Sequence, residues 1–145
     1  MFSQIILHQS AFIEFQKYAD SPYEVCGIML GRVYHHTARV YTIRMMKNIA
    51  EEKEVMFEMD TEELLSVLKQ TTFMYKNAND LIDLCGIIHT HPNGIPPVPS
   101  LTDFRGAVGG INTGYVIYSP ERGLINAYYW QNNIKLFQQI EIIVE

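Results

Sequence analysis

The sequence predicts an α/β fold, a single layered domain over residues 1–145 with a curved mixed β-sheet flanked by helices, and three observations carry that prediction. Stretches of strand periodicity are interrupted by two substantial stretches of helical periodicity, the pattern of a sheet covered by helices. Turn signals at Ser119-Pro120-Glu121-Arg122-Gly123 and Gln131-Asn132-Asn133 join the last strands antiparallel. Small residues within the strands allow such a sheet to curve.

The elements follow in order. Residues 2–7 read as a strand, and Ser10 as the cap of a short helix to about residue 18, with Phe12, Phe15 and Ala19 at helical spacing. Residues 26–34 and 40–47 form a hairpin that turns through His35-His36-Thr37. Thr61 opens an amphipathic helix whose first turn holds Glu62 and Glu63, where negative charge favours the helix dipole. Leu64, Leu65, Leu68 and Phe73 give that helix its buried face. Residues 82–89 form the central strand, 101–108 a short helix, and 115–119, 124–129 and 134–144 the last three strands.

Composition narrows the function classes. A hydrophobic fraction of 48% and a charged fraction of 19% belong to a globular chain rather than a disordered one. The net charge of −5, with Lys and Arg scattered, argues against a nucleic-acid partner and against an anionic membrane surface. No apolar run approaches the roughly 20 residues of a transmembrane helix, and the start Met1-Phe2-Ser3-Gln4-Ile5-Ile6-Leu7-His8 has no basic signal region, so the expected location is cytoplasmic. Cys26 and Cys85, each in a Cys-Gly-Ile context, are expected to be buried free thiols. His8, at a strand end, and His35 and His36, at a hairpin tip, read as surface or locally satisfied residues. Tyr128-Tyr129-Trp130 reads as core and edge packing.

The chemistry concentrates in Cys85-Gly86-Ile87-Ile88-His89-Thr90-His91-Pro92 and in Ser100-Leu101-Thr102-Asp103. Side chains alternate on a strand, so His89 and His91 share a face and converge on one ion, while Pro92 ends the strand. Asp103 lies at the third position of a helix with Ser100 as its cap, which reads locally as a capping carboxylate. Beside His-x-His it reads instead as a third ligand. Two histidines and a carboxylate are a common catalytic zinc set, and zinc lowers the pKa of water from about 16 toward roughly 7. Such a site also needs a base outside the ligand set. Glu24, which opens the otherwise apolar Val25-Cys26-Gly27-Ile28-Met29-Leu30, is the candidate; its plainer reading is an exposed glutamate at a strand start.

Glu24, His89-Thr90-His91-Pro92 and Ser100-x-x-Asp103 together resemble the signature of the JAMM (MPN+) metalloprotease family. Pro22-x-Glu24-x-Cys26-Gly27 with Leu30-x-Arg32, and Asn48-Ile49-Ala50 leading to Phe57-Glu58-Met59-Asp60, are similar to small bacterial members. The resemblance implies the JAMM/MPN, cytidine-deaminase-like sheet. It also implies His89, His91 and Asp103 as ligands of Zn2+, Glu24 as general base, and Ser100 as a donor to the oxyanion. The implied reaction is hydrolysis of a peptide or isopeptide bond after the Gly-Gly tail of a ubiquitin-like or sulfur-carrier protein. Residues 92–99 make a loop one residue longer than the family pattern; its Asn-Gly tip and prolines let the extra residue bulge outward, so the ligand set is expected to survive. The alternative is a noncatalytic MPN-type protein-interaction module, although such relatives lack the Glu, His and Asp set. Whether the substrate is a sulfur-carrier adduct, a precursor tail, an isopeptide or a cell-wall peptide stays open.

Overall fold

The computed structural model describes residues 1–77 and 82–145, with backbone alone for 72–77. Its elements run β1 (Gln4–Leu7), α1 (Gln9–Ala19), β2 (Cys26–Tyr34), β3 (Thr37–Met46), α2 (Thr61–Asn77), β4 (Asp83–Thr90), α3 (Leu101–Ala107), β5 (Thr113–Ser119), β6 (Leu124–Gln131) and β7 (Leu136–Val144). The α/β class and the mixed sheet agree with the sequence reading. The curved sheet is corrected: the strands close into a barrel in the order β1-β3-β2-β4-β5-β6-β7. Closure rests on the four-residue β1, which lies parallel to two strands at once, with Ile5 opposite Ala38 of β3 and Ile142 of β7. Nothing local to residues 4–7 specifies those neighbours, because the pairing joins the two ends of the chain.

The hairpin β2–β3 turns through His35 and His36, both in the left-handed region at φ 48° and 63°, the backbone of a two-residue hairpin turn whose twist matches its strands. That tight turn starts β3 three residues earlier than its apolar residues suggest. The antiparallel joining of β5, β6 and β7 agrees with the turn signals. β4 instead runs parallel to β5, with Gly86 opposite Gly114. Gly86 has φ 143°, and a Cβ there would lie 1.9 Å from the Gly114 carbonyl oxygen, so only glycine permits this approach.

The β2–β4 register slips beside Gly86, between Met29 and Leu30. The slip resets the alternation of β4: Cys85 and Ile88 both enter the main core, and Ile87 packs on the opposite side. The main core joins Ile5, Leu7, Met29, Val40 and Val116 to Ala11, Phe15 and Ala19 of α1. Each large aliphatic or aromatic side chain fully buried there contributes about 1.5–3 kcal/mol. On the other side Val67 of α2 covers Cys26, Ile28 and Leu30, while Ala107 of α3 covers Ile117, Tyr128 and Trp130.

Two local expectations need correction. His8, not Ser10, stands at the N-cap of α1, and the Ser10 hydroxyl meets His8 Nδ1 at 2.8 Å instead of capping the helix. Leu65 is exposed, because the inward stripe of α2 runs through Leu64, Val67, Leu68 and Thr71, a set one position away from it. The Phe73 side chain lies outside the described residues. No described helix is long and apolar enough to cross a membrane.

Candidate active site

Four buried side chains converge at one end of β4. Glu24, His89, His91 and Asp103 each offer a ligand atom, and these atoms lie within 4.8 Å of one another. His89 comes from β4 itself, where it pairs with Cys26 on one side and Ile117 on the other. His91 lies just past the strand, and its backbone N–H donates to the Tyr118 carbonyl at 2.9 Å, continuing the ladder by one bond. Asp103 comes from the first turn of α3. The longer 92–99 loop has therefore kept these side chains together.

Two imidazole nitrogens and the two oxygens of one carboxylate form a tight cluster. His91 Nε2 lies 3.0 Å from Asp103 Oδ2, His89 Nε2 lies 3.1 Å from Asp103 Oδ1, and the two Nε2 atoms are 3.3 Å apart. A tetrahedral ion with bonds of about 2.0–2.1 Å holds its ligand atoms about 3.3 Å apart, the separation of the two Nε2 atoms, and the carboxylate lies at a similar distance from both, so the three side chains fit one ion. The donor set is also that of a divalent metal: two imidazole nitrogens and a carboxylate, all buried, with the Glu24 carboxyl nearby. The His91 Nδ1–H donates to the Pro96 carbonyl at 2.8 Å, which turns Nε2 toward the cluster and sets its tautomer.

The two readings of Asp103 coexist. Its backbone N–H donates to the Ser100 hydroxyl at 3.0 Å and the Ser100 N–H donates back to Oδ2 at 2.9 Å, a complete capping box. The same carboxylate faces both imidazoles. Burial alone would raise its pKa, but the charge of His89 and the hydrogen bonds from His89, His91 and Ser100 hold it well below the usual carboxylate range. The Ser100 hydroxyl also meets the Thr102 hydroxyl at 2.8 Å.

Glu24 is not the exposed strand-start residue of its plainer reading. It is 3% exposed, it precedes β2, and its Oε1 has no hydrogen-bond partner among the described residues. Burial, reinforced by the nearby Asp103 charge and only partly offset by His91, pushes its pKa up to about 8. A buried carboxyl raised that far can hold and release a proton near neutral pH. Its main chain is clamped on both sides: the N–H donates to the Lys53 carbonyl at 2.7 Å, and the carbonyl accepts from Asn48 Nδ2 at 2.9 Å.

A cavity of about 240 Å³ opens beside Asp103, with Met56, Phe57, Met59, Leu64, Ile87 and Tyr115 giving it mainly apolar walls. Phe57 also stacks at a tilt on the His89 ring, with centroids 4.5 Å apart. On the other side, Asn126 Nδ2 and the Tyr128 hydroxyl both donate to the Pro97 carbonyl, at 3.2 and 3.1 Å. The loop that orients His91 is thereby pinned to β6.

All five residues singled out in the sequence lie in this region, with Ser100 at its edge as the cap of Asp103. Residues to which the sequence reading gives no role in the site are Phe57, Asn48, Asn126 and Tyr128. Asn48 and Phe57 are part of the resemblance, without a role. Tyr128 was assigned to packing, and it does pack, but its hydroxyl has the further task of holding Pro97. Cys26 and Cys85 are buried free thiols, both fully shielded, as expected.

Comparison with known proteins places this geometry. The family model of prokaryotic homologs of the JAB domain matches residues 8–131. A protein named Desampylase from Haloferax volcanii is 34% identical over 126 residues, which is 87% of this chain and 81% of that protein. Another Desampylase, from Pyrococcus furiosus, is 28% identical over 127 residues, covering 88% of this chain and 80% of the relative. A solution structure of a protein from Desulfitobacterium hafniense superposes with a TM-score of 0.79 at 25% identity, covering 97% of this chain and 92% of the other. On these matches, and with its Glu, His, His and Asp side chains gathered at one strand end, the chain belongs to the prokaryotic JAB group of the JAMM/MPN family and is an enzyme of the JAMM isopeptidase type.

Proposed function

We propose that this enzyme is a zinc-dependent peptidase that hydrolyses the peptide or isopeptide bond after the Gly-Gly tail of a ubiquitin-like or sulfur-carrier protein. The observation that carries the reading is the cluster of His89, His91 and Asp103 ligand atoms at 3.0–3.3 Å, set beside the buried Glu24 carboxyl. His89, His91 and Asp103 would hold the ion. When bound, zinc would polarise the scissile carbonyl and make water nucleophilic at neutral pH.

The chain's own groups do the rest. Glu24 takes a proton from the attacking water as oxygen bonds to the carbonyl carbon. It then delivers that proton to the nitrogen as the C–N bond breaks, leaving an amine and a carboxylic acid, whose remaining proton passes to the amine to give the carboxylate and the ammonium. Ser100 serves twice: its backbone and hydroxyl fix Asp103, and the hydroxyl proton now shared with Thr102 can turn to the developing oxyanion, a contact worth about 3 kcal/mol.

The groove beside Asp103 favours an extended, narrow substrate. Its wall at residues 56–59 is mainly apolar, and a tail without side chains can approach it closely. The curated relatives carry a name that denotes removal of a ubiquitin-like modifier, in keeping with such a tail.

The test uses a ubiquitin-like protein joined through Gly-Gly to an amine, incubated with zinc-loaded enzyme, beside a copy in which the last glycine is replaced by valine. Cleavage of the first and loss of cleavage of the second is the expected result. Equal rates would remove the Gly-Gly reading, and no cleavage of either would remove the substrate class.

A further inference from the structure

Glu24 lies one residue outside the sheet: Val25 is still tied to Thr90, whose N–H donates to the Val25 carbonyl at 3.0 Å. The main-chain groups of Glu24 itself are held from the excursion between β3 and α2. Asn48 uses all of its amide capacity there: Nδ2 donates to the carbonyls of Glu24 at 2.9 Å and Met56 at 3.0 Å, while Oδ1 accepts from the N–H groups of Ala50 at 3.0 Å and Glu58 at 3.1 Å. Two carbonyls on one side and two N–H groups on the other leave only one orientation for the amide. A single bridge between Asn48 and Met59, and the bond from Ile49 N–H to the Glu58 carbonyl, close the same excursion into a small ring. That ring carries Lys53, the other clamp on Glu24, and Met56–Met59, the wall of the groove.

We infer that Asn48 is a positioning residue for this reaction, tying the main chain of Glu24 to the groove wall so that the carboxylate stays aimed at the His89, His91 and Asp103 cluster. The inference rests on the reading of Glu24 as the proton carrier. The side-chain chemistry is specific. Aspartate keeps the acceptor that closes the ring through Ala50 and Glu58 but has no donor for the carbonyls of Glu24 and Met56. Alanine loses both halves.

The experiment compares wild type, Asn48→Asp, Asn48→Ala, Glu24→Gln and the Glu24→Gln/Asn48→Asp double variant, all as full chains. It reads kcat, KM, zinc per chain and amide hydrogen exchange at Val25, Ala50 and Glu58. For Asn48→Asp, a misplacement on the order of 1 Å should lower kcat about 100-fold, with KM within about threefold of wild type. Zinc content should be unchanged, Ala50 and Glu58 should remain protected, and the Val25 amide, on the peptide whose carbonyl Asn48 holds, should exchange faster. The double variant should be no slower than Glu24→Gln alone, because both changes act through one carboxylate.

Wild-type kcat in Asn48→Asp would overturn the inference, as would a double variant that loses activity multiplicatively. Loss of zinc or of Ala50 and Glu58 protection in Asn48→Asp would also overturn it, since the residue would then be a general staple of the loop. Asn48→Ala adds the case in which both halves are missing, and should it fail to fold, Asn48→Asp decides alone. Wild-type turnover in Glu24→Gln is a separate result: it would sink the proton-carrier reading whatever Asn48 does.

Discussion

His89 and His91 offer the same ring atom to the same point, yet they are held by different means. His89 is inside β4, with paired strands on both sides, and its ring is set by packing on Phe57. Its Nδ1 is buried without a hydrogen-bond partner among the described residues. His91 has left the sheet but for one backbone bond, and its ring is set by the Pro96 carbonyl on a loop that Asn126 and Tyr128 hold in place. Glu24 resembles His91 in this, being clamped by Asn48 and Lys53 rather than by a ladder. Where two neighbouring strands immobilise the backbone, packing is enough to aim a side chain. Where the sheet ends, hydrogen bonds from outside it must replace the ladder.

The residue that joins the two halves gives the largest effect. Asp103 touches both imidazoles, so Asp103→Ala should abolish metal retention and lower turnover by at least about 1000-fold, as removal of an indispensable catalytic group does. Elemental analysis and a rate measurement on the same preparation check it. Retained zinc would mean that the two histidines hold the ion without the helix, and the halves would not be coupled through Asp103.

A smaller effect sharpens the contrast between the histidines. Tyr128→Phe removes one of the two hydrogen bonds on the Pro97 carbonyl and should weaken metal affinity about tenfold through His91, in the range found for groups behind a ligand. Phe57→Leu, behind His89, should change affinity less. Competition against a chromogenic chelator measures both variants. The reverse ranking would break the comparison, for it would make packing the more important support.

The smallest effect probes the strand-built half alone. Cys26 faces His89 across the β2–β4 ladder, and burial, with Glu24 and Glu63 nearby, pushes its thiol up to about 12; burial and Asp83 do the same for Cys85. Neither thiolate forms appreciably at pH 8, so both cysteines should resist a disulfide-exchange reagent in the native protein. They should resist it equally after metal is stripped by a chelator, since the ladder does not depend on the ion. Rapid labelling of the stripped protein, read by mass spectrometry, would show that the metal holds the strands together.

Much of the fold was readable because its signals are local. Alternating strands, the two substantial helices, the Ser100 cap and the turns after Ser119 and Gln131 all fall within a few residues of their observed places. The four side chains that converge were readable for a similar reason. His89 and His91 are related by the two-residue period of a strand, Asp103 by the geometry of a helix start, and Glu24 stands out as the one acid before an apolar run. The supports were not readable. Tyr128 looks like any core aromatic until its hydroxyl is seen on a carbonyl 31 positions away. Leu65 looks like core until the crossing of α2 on β2 selects its neighbours.

The sequence by itself determined the elements, the class of the fold, and which residue types stand ready to hold a metal and move a proton, because these depend on periodicity and chemistry within short windows. Tertiary structure decided that the sheet closes, through a four-residue strand paired parallel at both of its edges. It also decided that Glu24 is buried and raised to about 8, and that Asn48, Pro96 and Pro97 set the aim of the site. The physical reason is the same in each case: desolvation and hydrogen bonding between distant segments depend on which surfaces meet, and that is fixed only when the whole chain has folded.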